Sequence, residues 1–574
     1  MLFAGCGGDG GDSPSAAELS GEFQAGRVSG LRYVTPTRSG ITDANGTFKY
    51  LAGESVTFSV GAIQLGHVPG APQITPFTLA GMTPPTTEPA LRRELDRASR
   101  TTSNFVRAVN LMRLLMALDV DHDPANGLDL RGRDALLASA TLNLDQPIVE
   151  FAAAVEKLAP DLTHNMPRWL PIVHLYRALG IAVPAHAPAS QDSSYGGGTT
   201  QVTTYSYNPD GSLESQRSSY GAGEYRASIA YRYDALGRTT SRRTERLYDF
   251  WGSFADEEVT NYDVLGNLSS RTHDSDQGAD GVIDVRQVSD FETDAFANVL
   301  GEVSSFDSGL DGTIDRVDRF SAEFDSRLNP DNSTWWSDSN MDGVTDQRTT
   351  WDVEFDASNR PLAELYEVDE DADGTIDSRD TNTFTLAANG RDISELRVSD
   401  LDADGIAEMR TRSDWVFDSG GVLRTLTVDG EYNFDEDENT SSTYHEVWTF
   451  DRDRRVLDVV TSEDWDGDGV VDVVSRRVNS YDDHGNVLEA VNESDSEGDS
   501  QWDYRSVTAY EYGLGAELLG STTTIQFSVD EPPISSGSTS ITGNTLENGV
   551  LMLAQSYLEF RFNTGVVAVA TDAF

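Results

Sequence analysis

The chain has 574 residues, with 96 Asp and Glu against 42 Lys and Arg, a formal charge of -54. Phosphate backbones and anionic bilayers repel such a chain, which excludes nucleic acid as a partner. The single cysteine, Cys6, excludes an intrachain disulfide, and no apolar run is long enough for a membrane-crossing helix. The length suits three or four domains, and 50 glycines among only 38% hydrophobic residues point to an acidic, mainly β protein.

Residues 1–20 read as an anchor and tether. Leu2-Phe3-Ala4-Gly5-Cys6 is followed by GGDGGDSPS, small residues before a cysteine and then a flexible linker. This resembles the lipobox of bacterial lipoproteins, which implies lipidation at Cys6 and a place in the cell envelope. Phe3 stands where that family has leucine. The charged and apolar parts of a signal peptide do not stand before it, which a misplaced start codon or a trimmed signal would explain.

Residues 21–87 read as a small β module. Thr57-Phe58-Ser59-Val60 alternates, and Asp43-Ala44-Asn45-Gly46 is a turn signal. The TDANGTF phrase resembles small β-sandwich modules of bacterial surface proteins. Residues 88–182 read as an α-helical block with its own core. Phe105, Ala108, Val109, Met112, Leu115 and Met116 share a helical face. A second helix is expected over 147–158 with Asp145 as its cap, and a third over 171–179 with His174 in the core. Residues 183–200 have the composition of a linker.

From 201 to 515 the chain is periodic. Asp280, Asp311, Asp342, Asp373 and Asp404 follow one another at intervals of 31, as do Asp468 and Asp499. The gap between the two runs fits one degenerate copy, around Asn433, Asp435 and Asp437, with two extra residues. A second marker keeps the same register: Tyr262-Asp263-Val264-Leu265-Gly266-Asn267, then Phe324-Asp325, Phe355-Asp356, Phe450-Asp451 and Tyr481-Asp482-Asp483-His484-Gly485-Asn486. The form Y-D-x-x-G-N resembles the YD repeats of Rhs and teneurin-type proteins, which implies successive hairpins forming a long sheet that spirals into a shell. Two turns per unit leave two strands of about eight residues. Trp351, Val353 and Phe355, like Trp448 and Phe450, put aromatic groups on one face and polar groups on the other.

The aspartate markers lie in loops of the form D-x-D-x-D-G-x-x-D. Full copies are Asp369, Asp371, Asp373, Asp377 and Asp464, Asp466, Asp468, Asp472. Asp338, Asn340, Asp342, Asp346 and Asp400, Asp402, Asp404, Glu408 also have oxygen ligands at positions 1, 3, 5 and 9. Hard oxygens around a glycine turn suit Ca²⁺, and an apolar residue at position 8 (Ile283, Ile314, Ile376, Val471) is expected to anchor the loop. The motif resembles the start of an EF-hand loop and the loops of dockerin and thrombospondin type 3 repeats. Position 12 is Gln287, Thr349 or Thr411 rather than a bidentate acid, so affinities of roughly 10⁻⁴–10⁻³ M are expected. Copies with Gly278 or Gly309 at position 3 should be weaker. Asp119-Val120-Asp121-His122-Asp123 opens in the same way, but Pro124 replaces the glycine.

Residues 516–574 read as closing strands, from Ile525, Phe527, Val529 and later Leu558, Phe560, Phe562. No HExxH, GxSxG, Walker or dinucleotide-binding motif stands out, so no enzyme is expected. The expected fold is a long antiparallel hairpin array, rolled or spiral, preceded by the β-sandwich-like module and the helical block. The expected function is a calcium-stabilised, cell-surface or outer-membrane lipoprotein for adhesion or envelope structure, meeting an extracellular glycan or protein. Two alternatives stand beside it: a carbohydrate-binding or hydrolysing surface lipoprotein, with Trp335-Trp336 as its best platform, and an Rhs-like shell.

Overall fold

A computed structural model describes residues 17–558 apart from 99, 160, 163–165, 196–198, 222–224, 249–252, 297, 358–359, 388–392, 434–440, 497–500, 515 and 528–531. Cys6, Asp435, Asp437, Asp499, Val529, Phe560 and Phe562 lie outside the described residues.

From Ala185–Tyr195 to Ile534–Leu546, twenty-four strands form a closed antiparallel barrel in which each strand pairs with its neighbours in sequence. Most of these strands are nine residues long, close to the expected eight. The sheet is closed rather than rolled or spiral. The segment read as a linker supplies the closing partner: Ala185–Tyr195 pairs with Ile534–Leu546, and a register shift accommodates Pro188. Its sequence lacks apolar alternation because this seam is held by backbone ladders and hydroxyl pairs, including Ser190–Thr542 at 3.0 Å and Ser194–Ser538 at 2.9 Å. Closure removes both exposed edges. At ~4.8 Å per strand and a tilt of ~40°, such a wall is about 50 Å across, too wide for side chains to fill.

The YD marker is a turn with a clasp. In Tyr481-Asp482, Asp482 Oδ1 accepts from the backbone N–H of His484 and of Asn486, and the Asn486 amide donates to Oδ2 at 3.0 Å. Asp263 does the same with Leu265 and Asn267. At Asp325, hydrogen bonds from Asn329 and Arg327 outweigh desolvation and hold the carboxyl down at about 2. The tyrosine reaches to the preceding unit: Tyr481 Oη donates to Val456 O at 2.9 Å and Tyr512 Oη to Val487 O at 2.9 Å. Tyr481→Phe should therefore destabilise the wall by about 1 kcal/mol without opening a cavity. A denaturation midpoint unchanged from wild type would show that the hydroxyl gains no more there than it does from water.

The aromatic face expected from the sequence is the more buried one. Trp415, Leu423, Leu426, Val428 and Phe450 make a small cluster on the wall. The large core lies elsewhere, in a globular unit at the YD-turn end. There, two small sheets (Thr47–Leu51 with Glu18–Phe23 and Gln73–Ile74; Ser39–Ile41, Arg32–Val34, Ser55–Val60 and Ile63–Pro69) share one core with the helices. The β module and helical block thus share one core, and Val28–Ser29 of the first pairs with Leu128–Asp129 of the second. Helix Asn104–Ala117 is capped by Ser103 and buried on nearly every side. Helix Ile148–Glu156 starts at Pro147, while Asp145 instead pairs with Arg107 at 2.7 Å. Helix Leu170–Ala178 carries a buried His174, whose pKa burial lowers to about 4. Helix Glu88–Ala98 has no counterpart in the sequence reading. The chain after the last strand is also not a strand: Val550–Leu558 is a helix that returns into the same core.

This unit caps one end of the barrel. It meets turns spread round the ring: Trp169 lies against Gly237, Lys157 Nζ bonds Asn329 Oδ1 at 3.3 Å, Arg100 Nε bonds Asp453 O at 3.0 Å, and Arg93 reaches His484 at 3.4 Å. Because strands alternate in direction, the aspartate loops fall at the end opposite this unit.

Candidate metal sites

Each aspartate loop folds back on its own first residue. The position-1 carboxylate accepts from the N–H of the position-6 glycine: Gly343 to Asp338 at 3.1 Å, Gly374 to Asp369 at 3.0 Å, Gly405 to Asp400 at 3.0 Å, Gly469 to Asp464 at 2.8 Å. Position 5 accepts from the N–H of position 7, as in Asp404 with Ile406 at 2.7 Å and Asp468 with Val470 at 2.8 Å. Position 9 accepts from the N–H of position 2, as in Asp346 with Ser339, Asp377 with Glu370, Asp472 with Trp465, and Glu408 with Leu401. These bonds require positive φ at position 6, where Gly374 has 92° and Gly405 has 96°; a β-carbon there is strained however open the space.

The loops draw their acids together to different degrees. Asp400, Asp402, Asp404 and Glu408 offer ligand atoms all within 4.8 Å of one another. Asp369, Asp371 and Asp377 do so without Asp373, and Asp464, Asp466 and Asp472 without Asp468. Asp373 and Asp468 accept from their position-7 N–H groups, as Asp404 does, and hydrogen bonds from Thr375 keep Asp373 below the usual carboxylate range. In the Asp338 loop, Asn340 Oδ1 accepts from the Asp342 N–H at 2.9 Å, and Asp346 is lowered by hydrogen bonds from Ser339. The copies at Asp276 and Asp307 keep the backbone pattern, with Gly281 and Gly312 donating to position 1, but have no acid at position 3.

Position 1 anchors each loop. Asp338, Asp369, Asp400 and Asp464 are all buried. The expected anchor at position 8 is uneven: Ile283 and Ile376 are half-buried, while Ile314 and Val471 are exposed. Oδ1 of Asp338, Oδ1 of Asp400 and Oε1 of Glu408 are buried and accept no hydrogen bond. Four carboxylates packed this closely repel one another, and the unpartnered oxygens are what a hard cation would take up. The residues present therefore fit Ca²⁺.

The Asp119 loop is built differently. Asp119 is fully buried, with Oδ1 accepting from the Asp129 N–H at 2.8 Å, and burial together with neighbouring Asp121 pushes its carboxyl up to about 7. Asp121 is taken by Asp123 N–H and by the Asn126 amide. Trp335 and Trp336 are half-buried and point to opposite faces of the wall, so they do not form one platform. Trp335 lines an open hollow with Phe320, Trp351 and Tyr366.

Both faces of the wall carry charge. Arg286–Asp274 at 2.6 Å and Arg379–Glu367 at 2.6 Å stand on one face, Arg397–Asp380 at 2.9 Å and Arg316–Asp318 at 2.6 Å on the other. Ion pairs thus stand on both faces of this wall.

No family model matches the sequence, and no curated protein matches it. Among solved structures the chain is similar to a porin-like protein from Bacteroides uniformis, at 10% identity over 45% of this chain and 94% of that one, TM-score 0.22. It is similar to a porin-like protein from Bacteroides vulgatus at 10% identity over 45% and 93%, TM-score 0.19. It is also similar to TcdB2-TccC3 without its hypervariable C-terminal region, at 11% identity over 62% of this chain and 27% of that one, TM-score 0.12.

Proposed function

We propose that the chain is a non-enzymatic, calcium-stabilised barrel of the cell envelope, tethered through Cys6 and serving adhesion or envelope structure. The observation that carries this reading is the Asp400 loop: four convergent carboxylates, two of whose oxygens are buried without a partner, in a unit that recurs along the wall. One such loop would be an acidic turn. A row of them at the rim opposite the cap supports a shared dependence on a cation, and weak sites of this kind suit an extracellular setting where Ca²⁺ is millimolar. The wall's charge on both faces fits a body held outside the bilayer on a tether.

Calcium titration calorimetry on three variants tests it. Asp404→Ala removes a member of the four-carboxylate set and should abolish one binding event. Asp373→Ala removes a neighbour of a three-carboxylate set and should weaken one. Asp311→Ala acts where Gly309 already leaves the set short, and should change little. Equal isotherms for all three would defeat the calcium reading.

A container role is the second reading, favoured by the closure of the barrel and by the cap across one end. Small-angle scattering of the purified chain at matched contrast would show whether the wall surrounds protein density beyond its own.

A further inference from the structure

We propose that Glu88, His186 and Glu517 form a zinc-binding clasp where the barrel seam meets the cap. Glu88 opens a cap helix, His186 lies in the first barrel strand, and Glu517 ends the last YD-type turn. Distant in sequence, the three offer ligand atoms within 4.8 Å of one another. His186 Nδ1 lies 2.8 Å from Glu88 Oε2 and 3.9 Å from Glu517 Oε1. Ligands bound to a tetrahedral ion at ~2.0–2.1 Å stand about 3.3 Å apart, between those two distances.

Three further observations point to a ligand. Glu517 Oε2 is buried and accepts no hydrogen bond. A β-carbon at residue 513 would lie 2.0 Å from Glu517 Oε1, so Gly513 is what lets this carboxylate fold back toward the seam. Arg92 pairs with Glu88 at 2.5 Å, which balances one of the two carboxylates and leaves a negative charge over. An imidazole nitrogen beside two carboxylates selects a borderline metal such as Zn²⁺ over Ca²⁺, and three protein ligands leave the fourth place to water. The site is therefore distinct in chemistry from the all-oxygen loops at the other end. Its effect would be to tie the cap, the first strand and the last turn to one point.

The test measures zinc uptake by the full chain against a chromophoric chelator, with millimolar Ca²⁺ present to fill the aspartate loops. Wild type should hold one zinc. His186→Gln and Glu517→Gln should each lower its affinity about tenfold or more. His445→Gln should leave it unchanged, since His445 pairs with Asp429, at 2.6 Å, and has no part in the clasp. Zinc should also slow amide exchange across 185–195 in wild type and not in His186→Gln. Equal uptake by wild type, His186→Gln and Glu517→Gln, or no uptake above the calcium background, overturns the proposal and leaves the Glu88–His186 contact an ordinary hydrogen bond.

Discussion

Millimolar Ca²⁺ is expected to raise the melting temperature of the chelator-treated protein by about 5 °C. A site that binds only the folded state adds RT ln(1 + [L]/Kd), about 1.4 kcal/mol at tenfold saturation. Three loops bring acids together in threes or fours, so their sum is about 4 kcal/mol if the wall unfolds as one. At ~2.1 cal/mol/K per residue over 185–546, that sum corresponds to the stated shift. A chain of charge -54 gains from any salt through screening, so the control matters. Mg²⁺ at equal ionic strength should deliver only a small part of the rise, because it demands tight octahedral geometry and sheds water reluctantly. If Mg²⁺ and Ca²⁺ act alike, the loops are not calcium sites and the effect is general screening.

Leu553→Asp should unfold the cap while leaving the wall. Leu553 is 1% exposed in the helix Val550–Leu558, beside Leu551 and Tyr557 in the shared core. The change loses a buried leucine, worth about 2–5 kcal/mol by itself, and puts an unpaired carboxylate in its place. The total exceeds ~5 kcal/mol, a large share of what a domain of this size has. Helical signal and the near-ultraviolet signature of buried Trp169 should fall, and β signal should persist. A variant with both signals intact would mean that the last helix is peripheral to the core. Simultaneous loss of the β signal would mean that cap and wall are one cooperative unit.

The features legible in the sequence were those that repeat. The 31-residue period, the two turn types, the aromatic face and the acids of the loops each recur often enough for register to reveal them. Helices over 104–117 and 170–178 were visible from apolar spacing. Closure was not, because Ala185–Tyr195 is short of apolar residues and its partner lies at the far end of the chain. Helix Val550–Leu558 was hidden for a related reason. An apolar stretch of nine residues suits a strand or a buried helix equally until its surroundings are known. Within the loops, spacing picked out the acids but could not rank how closely they come together: Asp404 joins its set while Asp373 and Asp468 do not. The His186 cluster carries no sequence signal, since its members come from three separate parts of the chain.

The seam also has a kinetic meaning. Every pairing in the wall joins neighbours along the chain, except the one that brings Ser190 to Thr542, 352 residues away. Local hairpins form fast, and long-range pairings are slow because chain entropy must be lost before contacts compensate for it. The wall can therefore grow hairpin by hairpin during synthesis, and it waits for its last strand before it can shut. Until then the first strand offers an open edge, short of apolar groups and rich in serine, a poor template for aggregation. The same composition that makes this segment look like a linker lets it wait safely for its partner.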